Sequence, residues 1–129
     1  MANELILIVD DSEKNRKLAQ YVLTFNGYRT VETSTAEEGI RVARDQQPAL
    51  ILMDFRLPGM NGIEALVQLR ADAATHHIPV IAVTASAMTE DRQKILAAGF
   101  EGLQTKPFEV KEFVKAVSDT IARSKGTAA

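Results

Sequence analysis

The sequence predicts an α/β fold: a doubly wound, five-stranded parallel sheet of flavodoxin-like order 2-1-3-4-5 with helices on both faces. Three short, almost continuously apolar runs, Leu5-Ile6-Leu7-Ile8-Val9, Ala49-Leu50-Ile51-Leu52-Met53 and Val80-Ile81-Ala82-Val83, are too short for helices and read as strands covered on both sides. Two further runs differ: Tyr28 to Thr33 alternates polar and apolar residues, and Gly102 to Thr105 is short and half polar, as expected of edge strands. Helical patterns lie between the runs, and such alternation with short connections requires parallel strands joined by right-handed crossovers.

The elements follow in chain order. Ser12 caps a first helix that carries Leu18, Val22 and Phe25 toward a stop at Gly27. Thr35, with Glu38 three residues on, spells a capping box; the helix it opens, from about Ala36 to Asp45, must close before Pro48. A third helix from about Asn61 to Ala71 carries Ile63, Leu66 and Val67, and Thr89 with Glu90 and Asp91 opens a fourth that ends at Gly99. Val110, Phe113, Val114, Val117 and Ile121 recur at i, i+3, i+4, i+7 and i+11, one apolar stripe of a last amphipathic helix. The sequence shows no internal repeat or linker, so residues 1–124 read as one domain and 125–129 as a frayed tail.

Composition narrows the function classes. Of 129 residues, 46% are apolar and 25% charged, within the globular range, and a chain this long can bury one sizeable core. The 15 basic and 17 acidic residues are mixed along the chain, with no basic stripe to track nucleic acid. The longest apolar runs fall far short of the roughly 20 residues that span a bilayer, and there is no leader pattern, so no membrane association is expected. Absence of cysteine fits a reducing compartment, and the expected location is the cytoplasm.

In sheets of this type ligands bind beyond the carboxyl ends of the strands. The first strand runs into Asp10 and Asp11, the third into Asp54, the fourth into Thr84 and the fifth into Lys106-Pro107. Three carboxylates in one crevice repel: unit charges about 4 Å apart interact by roughly 4 kcal/mol at an effective dielectric near 20. A hard divalent cation offsets this, and Mg²⁺ is commonly held by carboxylates, waters and a phosphate oxygen. Lys106 adds a compact positive charge and Thr84 a hydroxyl donor. The set suits an incoming phosphoryl group, with a carboxylate nucleophile and cations to neutralise developing charge.

Over essentially its whole length the chain resembles the response-regulator receiver family. The resemblance is carried by Ile8-Val9-Asp10-Asp11-Ser12, by Leu52-Met53-Asp54 with Leu57-Pro58-Gly59-Met60-Asn61-Gly62, by Val83-Thr84-Ala85, and by Ala98-Gly99 leading to Thr105-Lys106-Pro107-Phe108. Each piece alone is weak, but the ordered set is specific. It implies phosphorylation of Asp54, Mg²⁺ bound by Asp11, Asp54 and the Arg56 backbone carbonyl with help from Asp10, contact of Thr84 and Lys106 with the phosphoryl group, and a cis Lys106-Pro107 bond. It also implies a histidine kinase or histidine-phosphotransfer protein as donor, a downstream protein target, and a monomer or weak dimer through the face of the fourth helix, fifth strand and fifth helix. Such a chain is a stand-alone switch rather than an enzyme. Family members often carry an aromatic residue three positions before the lysine; here Leu103 stands there, so the hydroxyl half of the usual switch is present without the aromatic half. Arg56 and Ser86, two positions after Asp54 and Thr84, occupy places that vary in the family and influence access of water to the acyl phosphate.

Plainer readings compete at each position. Asp10-Asp11 could merely cap the first helix, Thr84 could be a strand-end hydroxyl, and Lys106 a solvated charge; only their convergence with Asp54 favours a site. Pro58-Gly59 is first a turn and Gly62 first an accommodation of backbone. His76-His77 cannot share one helix side and run straight into Ile78-Pro79, so they read as a solvated loop. A Mg²⁺-dependent phosphatase of the haloacid-dehalogenase type needs a second aspartate two residues after its nucleophile, where this chain has Arg56. A small flavin-binding protein of the same fold needs a phosphate loop after the first strand, where two aspartates would repel the phosphate.

Overall fold

The computed structural model describes residues 3–57, 59–85, 89–106 and 109–126, with residues 89–91, 125 and 126 described by backbone alone. The readings made for Pro58, Ser86, Phe108 and the Lys106-Pro107 bond lie outside the described residues, as do residues 127–129.

The elements are β1 (Leu5–Val9), α1 (Glu13–Phe25), β2 (Arg29–Thr33), α2 (Ala36–Gln46), β3 (Leu50–Asp54), α3 (Gly62–Ala71), β4 (Val80–Thr84), α4 (Thr89–Ala98), β5 (Gly102–Thr105) and α5 (Val110–Gly126). All neighbouring strands pair in parallel, in the order β2-β1-β3-β4-β5. The predicted order is found, with the apolar strands central and the two mixed ones at the edges. Helix α5 continues to Gly126, two residues into the segment read as a tail.

Strand periodicity divides the core into two layers. Ile6, Ile8, Leu50, Leu52, Ile81 and Val83 face Ala19, Val22 and Leu23 of α1 and Phe113, Val117 and Ile121 of α5. Their chain neighbours Leu7, Val9, Ile51, Met53, Val80 and Ala82 face α2, α3 and α4 through Ile40, Ala43, Leu66, Leu69 and Ile95. Successive side chains of a strand point to opposite faces, so a strand covered on both sides must be apolar throughout.

The helix faces differ in part from the reading of the sequence. Leu18 is 43% exposed and Phe25 81%, because the buried stripe of α1 is Ala19, Val22 and Leu23, centred roughly 100° around the helix from both. Val67 and Val110 are likewise exposed, leaving Ala65, Leu66 and Leu69 to anchor α3. At Thr35 only half of the capping box forms: its hydroxyl accepts from the Glu38 amide at 3.2 Å, while the Glu38 carboxylate faces Arg41 at 3.8 Å. The reciprocal box is at Asn61 and Glu64, with bonds of 2.9 and 3.2 Å. His76 and His77 are exposed in the turn between α3 and β4, as expected.

Gly39 lets α2 lie close on β1, since a Cβ there would sit 2.8 Å from Val9 Cγ2 and 3.2 Å from Thr33 Oγ1. Val9 is fully buried and β-branched, so its methyl cannot swing aside. Alanine is favoured over glycine inside a helix by about 1 kcal/mol, but overpacking a core costs about 1–3 kcal/mol. Gly39→Ala is therefore expected to lower the unfolding free energy by on the order of 1 kcal/mol in urea titration; a gain would mean that α2 can shift freely on β1.

Candidate functional site

The register of the sheet brings the polar strand ends together. Val9 pairs with Met53, so Asp10 lies level with Asp54, and Thr84 pairs with Thr105, the residue before Lys106. The Lys106 amide donates to the Thr84 carbonyl at 2.8 Å and the Phe55 amide to the Val83 carbonyl at 2.8 Å, extending strand pairing into the loops that carry the site.

One carboxylate oxygen from each of Asp10, Asp11 and Asp54 lies within 4.8 Å of the others. Asp10 and Asp54 are buried and Asp11 is exposed, giving the cluster one open side. Lys106 Nζ bridges the two buried groups, 2.9 Å from Asp10 Oδ2 and 3.3 Å from Asp54 Oδ2. The remaining oxygen of each is held by nearby main chain. Asp10 Oδ1 accepts from the Ser12 amide at 2.9 Å, and Asp54 Oδ1 from the Arg56 amide at 3.0 Å. The N-cap of α1 is Ser12, whose hydroxyl accepts from the Asn15 amide at 3.3 Å, rather than Asp10 or Asp11.

Burial pushes the Asp54 carboxyl above the ordinary carboxylate range, and the neighbouring Asp10 charge adds to this; the Arg56 amide and Lys106 oppose it without prevailing. Burial works against the Lys106 ammonium too, but its hydrogen bond to Asp10 and the charges of Asp54 and Asp10 more than offset that, so Lys106 is held protonated above its usual range.

Thr84 is buried at the end of β4 beside this group, and Leu103, opposite Ala82 on β5, is half-buried against the α2-α3-α4 layer. Arg56 contributes its amide to the site and has an exposed side chain. Gly62 packs against the loop after the acceptor: a Cβ would lie 3.0 Å from Phe55 Cα and 3.2 Å from the Asp54 carbonyl oxygen, which explains the glycine at the start of α3. One residue that the sequence reading missed also reaches the site, and a second braces it. Arg16 donates to the Asp10 carbonyl at 2.7 Å and pairs with Glu32 at 3.4 Å. Arg16 stands six residues past Asp10, but nothing in the linear sequence ties it to Glu32 on an edge strand.

Residues 6–118 match the response regulator receiver domain family. The chain belongs to that family. Phosphoryl acceptance and Mg²⁺ binding at an acidic pocket are general features of receiver domains. This receiver is 40% identical over 112 residues to the polar-differentiation response regulator DivK of Brucella ovis, a match that spans 87% of this chain and 91% of DivK. Its fold is similar to the receiver domain of the sensor histidine kinase PA1611 of Pseudomonas aeruginosa PAO1, solved with a magnesium ion coordinated in its active-site cleft (TM-score 0.86, 33% identity, 94% of this chain and 99% of that one). It is also similar to a CheY-like response regulator receiver domain protein of Methanospirillum hungatei JF-1 (TM-score 0.87, 26% identity, 98% and 99% of the two chains).

The raised Asp54 carboxyl carries a sign. A group whose folded value is raised contributes stability that is fully present below its unfolded value and is lost as pH rises through the folded one. Ionised Asp54 therefore costs stability at pH 7, and Asp54→Asn is expected to melt at a higher temperature than wild type in metal-free buffer. The gap should close as pH falls below about 4, where the carboxyl is protonated in both states. A lower melting temperature for the Asn variant at pH 7 would show that Lys106 overcompensates for burial.

Proposed function

We propose that this receiver accepts a phosphoryl group on Asp54 from a phosphohistidine of a histidine kinase or histidine-phosphotransfer protein, and signals by binding a downstream protein or by passing the group on. The observation that carries this reading is the meeting of Asp10, Asp11, Asp54 and Lys106 at one edge of the sheet. In the transfer an Asp54 carboxylate oxygen forms the new O–P bond as the N–P bond breaks, and the imidazole nitrogen keeps the electron pair.

The three aspartates fit Mg²⁺. Ligand oxygens about 2.1 Å from one ion lie roughly 3–4 Å apart, so oxygens already within 4.8 Å need only small side-chain adjustments. Asp10, Asp11 and Asp54 with the Arg56 carbonyl are the ligands we assign, and when bound the cation neutralises charge on the phosphoryl oxygens. The magnesium in the PA1611 receiver supports the assignment. Lys106 holds a protonated ammonium beside Asp54, where it attracts the incoming group and stabilises charge developing on it. Thr84 supplies a hydroxyl to the same group. The chain is a switch with modest chemistry of its own, rather than an enzyme turning over small substrates, and works in the cytoplasm. Among the described residues no helix is long and apolar enough to cross a membrane.

Incubation with acetyl phosphate is expected to add about one phosphoryl group to the intact mass of wild type in the presence of Mg²⁺, and none to Asp54→Ala. No gain under any condition would overturn the assignment. We infer that the Arg56 side chain, exposed and two residues past the acceptor, covers the acyl phosphate against water, so Arg56→Asn should shorten the phosphoprotein's lifetime; an unchanged or longer lifetime removes Arg56 from that role.

A further inference from the structure

Arg16, in the first turns of α1, takes no part in the chemistry described above, yet its side chain is only 16% exposed. Its guanidinium joins two elements, with Nη1 donating to the Asp10 carbonyl at 2.7 Å and Nε lying 3.4 Å from Glu32 Oε1. Glu32 itself is 18% exposed and presents its other oxygen to Lys17 at 3.5 Å. Glu32 stands opposite Ile8 and Thr33 opposite Val9 in the β1–β2 ladder, and the Asp10 amide donates to the Thr33 carbonyl at 3.1 Å.

Both main-chain polar groups of Asp10 are therefore tied to β2, the amide directly and the carbonyl through Arg16. The Asp10 carbonyl belongs to the peptide plane it shares with the Asp11 amide, so fixing that oxygen fixes the orientation of the bond between the two aspartates. We propose that Arg16, braced by Glu32, is a positioning residue for the metal-binding turn, setting the peptide from which the Asp10 and Asp11 side chains reach the cation. The proposal rests on the reading of these aspartates as the Mg²⁺ site.

Charge and position predict opposite signs. Removing a guanidinium from beside an acidic cluster removes a repulsion felt by an incoming cation, so Coulomb forces alone would tighten Mg²⁺ binding. Loss of an outer partner that orients metal ligands typically weakens binding about 10–100-fold. The lower end applies here, since Arg16 acts through one peptide bond.

The test is the Mg²⁺ concentration that half-saturates phosphorylation by acetyl phosphate, with Mn²⁺ binding followed directly by electron paramagnetic resonance. Arg16→Ala is expected to raise both constants about tenfold, while the phosphorylation rate at saturating Mg²⁺ stays close to wild type. Arg70→Ala is the control: it breaks the ion pair with Glu101 that ties α3 to the amino edge of the sheet, and should lower the melting temperature without moving either constant. Glu32→Gln, which keeps the strand but loosens the brace, should shift the constants in the same direction as Arg16→Ala and decides the matter if that variant does not fold. Unchanged or tighter metal binding in folded Arg16→Ala or Glu32→Gln, or an equal weakening in Arg70→Ala, overturns the positioning role. Failure of wild type to show any Mg²⁺ dependence would instead overturn the metal site itself.

Discussion

Two buried carboxylates that face one another at the edge of a sheet repel, and the ammonium of Lys106, lying 2.9 Å from one and 3.3 Å from the other, lets Asp10 and Asp54 stand side by side. One ammonium set against three carboxylates leaves the crevice short of positive charge. Burial first and the Asp10 charge second raise the Asp54 carboxyl, while the shortage explains the fit to a divalent cation and means that an incoming anionic group meets net repulsion unless a cation enters with it. A neutral residue at position 106 would leave a pair of mutually repelling buried groups, so the lysine is a structural requirement before it is a chemical one.

The sheet makes this crowding possible because it fixes main chain rather than side chain. Each site residue sits at or just past the carboxyl end of a central or neighbouring strand, where pairing with the next strand is still being made: Asp10 to Thr33, Phe55 to Val83, Lys106 to Thr84. A residue so held cannot move away from its neighbours' charges, and a group on an unsupported loop could. The close seat of Gly62 against Phe55 and Asp54 does the same from α3, and Arg16 with Glu32 from α1 and β2. Four elements besides β3 thus constrain the few residues around the acceptor.

How much of this was legible follows from what each feature depends on. The central strands could be read because burial on both faces leaves an apolar run with few alternatives, and the site residues because parallel topology maps strand ends to one edge. Helix faces were less legible. Leu18, Phe25, Val67 and Val110 fit helical spacing but stand exposed, since periodicity shows that apolar residues recur and not which arc a neighbouring layer covers. Thr35-x-x-Glu38 and Asn61-x-x-Glu64 carry the same pattern of polar cap and glutamate, and only the second closes reciprocally; Arg41 one turn on gives Glu38 another partner. The pairing of Arg16 with Glu32 depends on β1–β2 register, which a single sequence does not encode locally.

The opposite edge of the sheet is built on contrary terms. Arg70 reaches both oxygens of Glu101 at 2.8 and 2.9 Å and donates to the carbonyls of His76 and Ile78, while Glu101 also accepts from the Val80 amide. An isolated surface ion pair contributes about 0–1 kcal/mol, but this one satisfies main-chain groups where β4 begins, so breaking it would free several hydrogen-bonding groups together. Arg44 with Asp72 ties α2 to the end of α3 at 2.8 Å in the same region. Opposite charges are matched in these pairs at the amino edge and left unbalanced in the aspartate cluster at the carboxyl edge. The stabilising pairs hold the strands in register, and that register keeps the unbalanced carboxylates from relaxing apart.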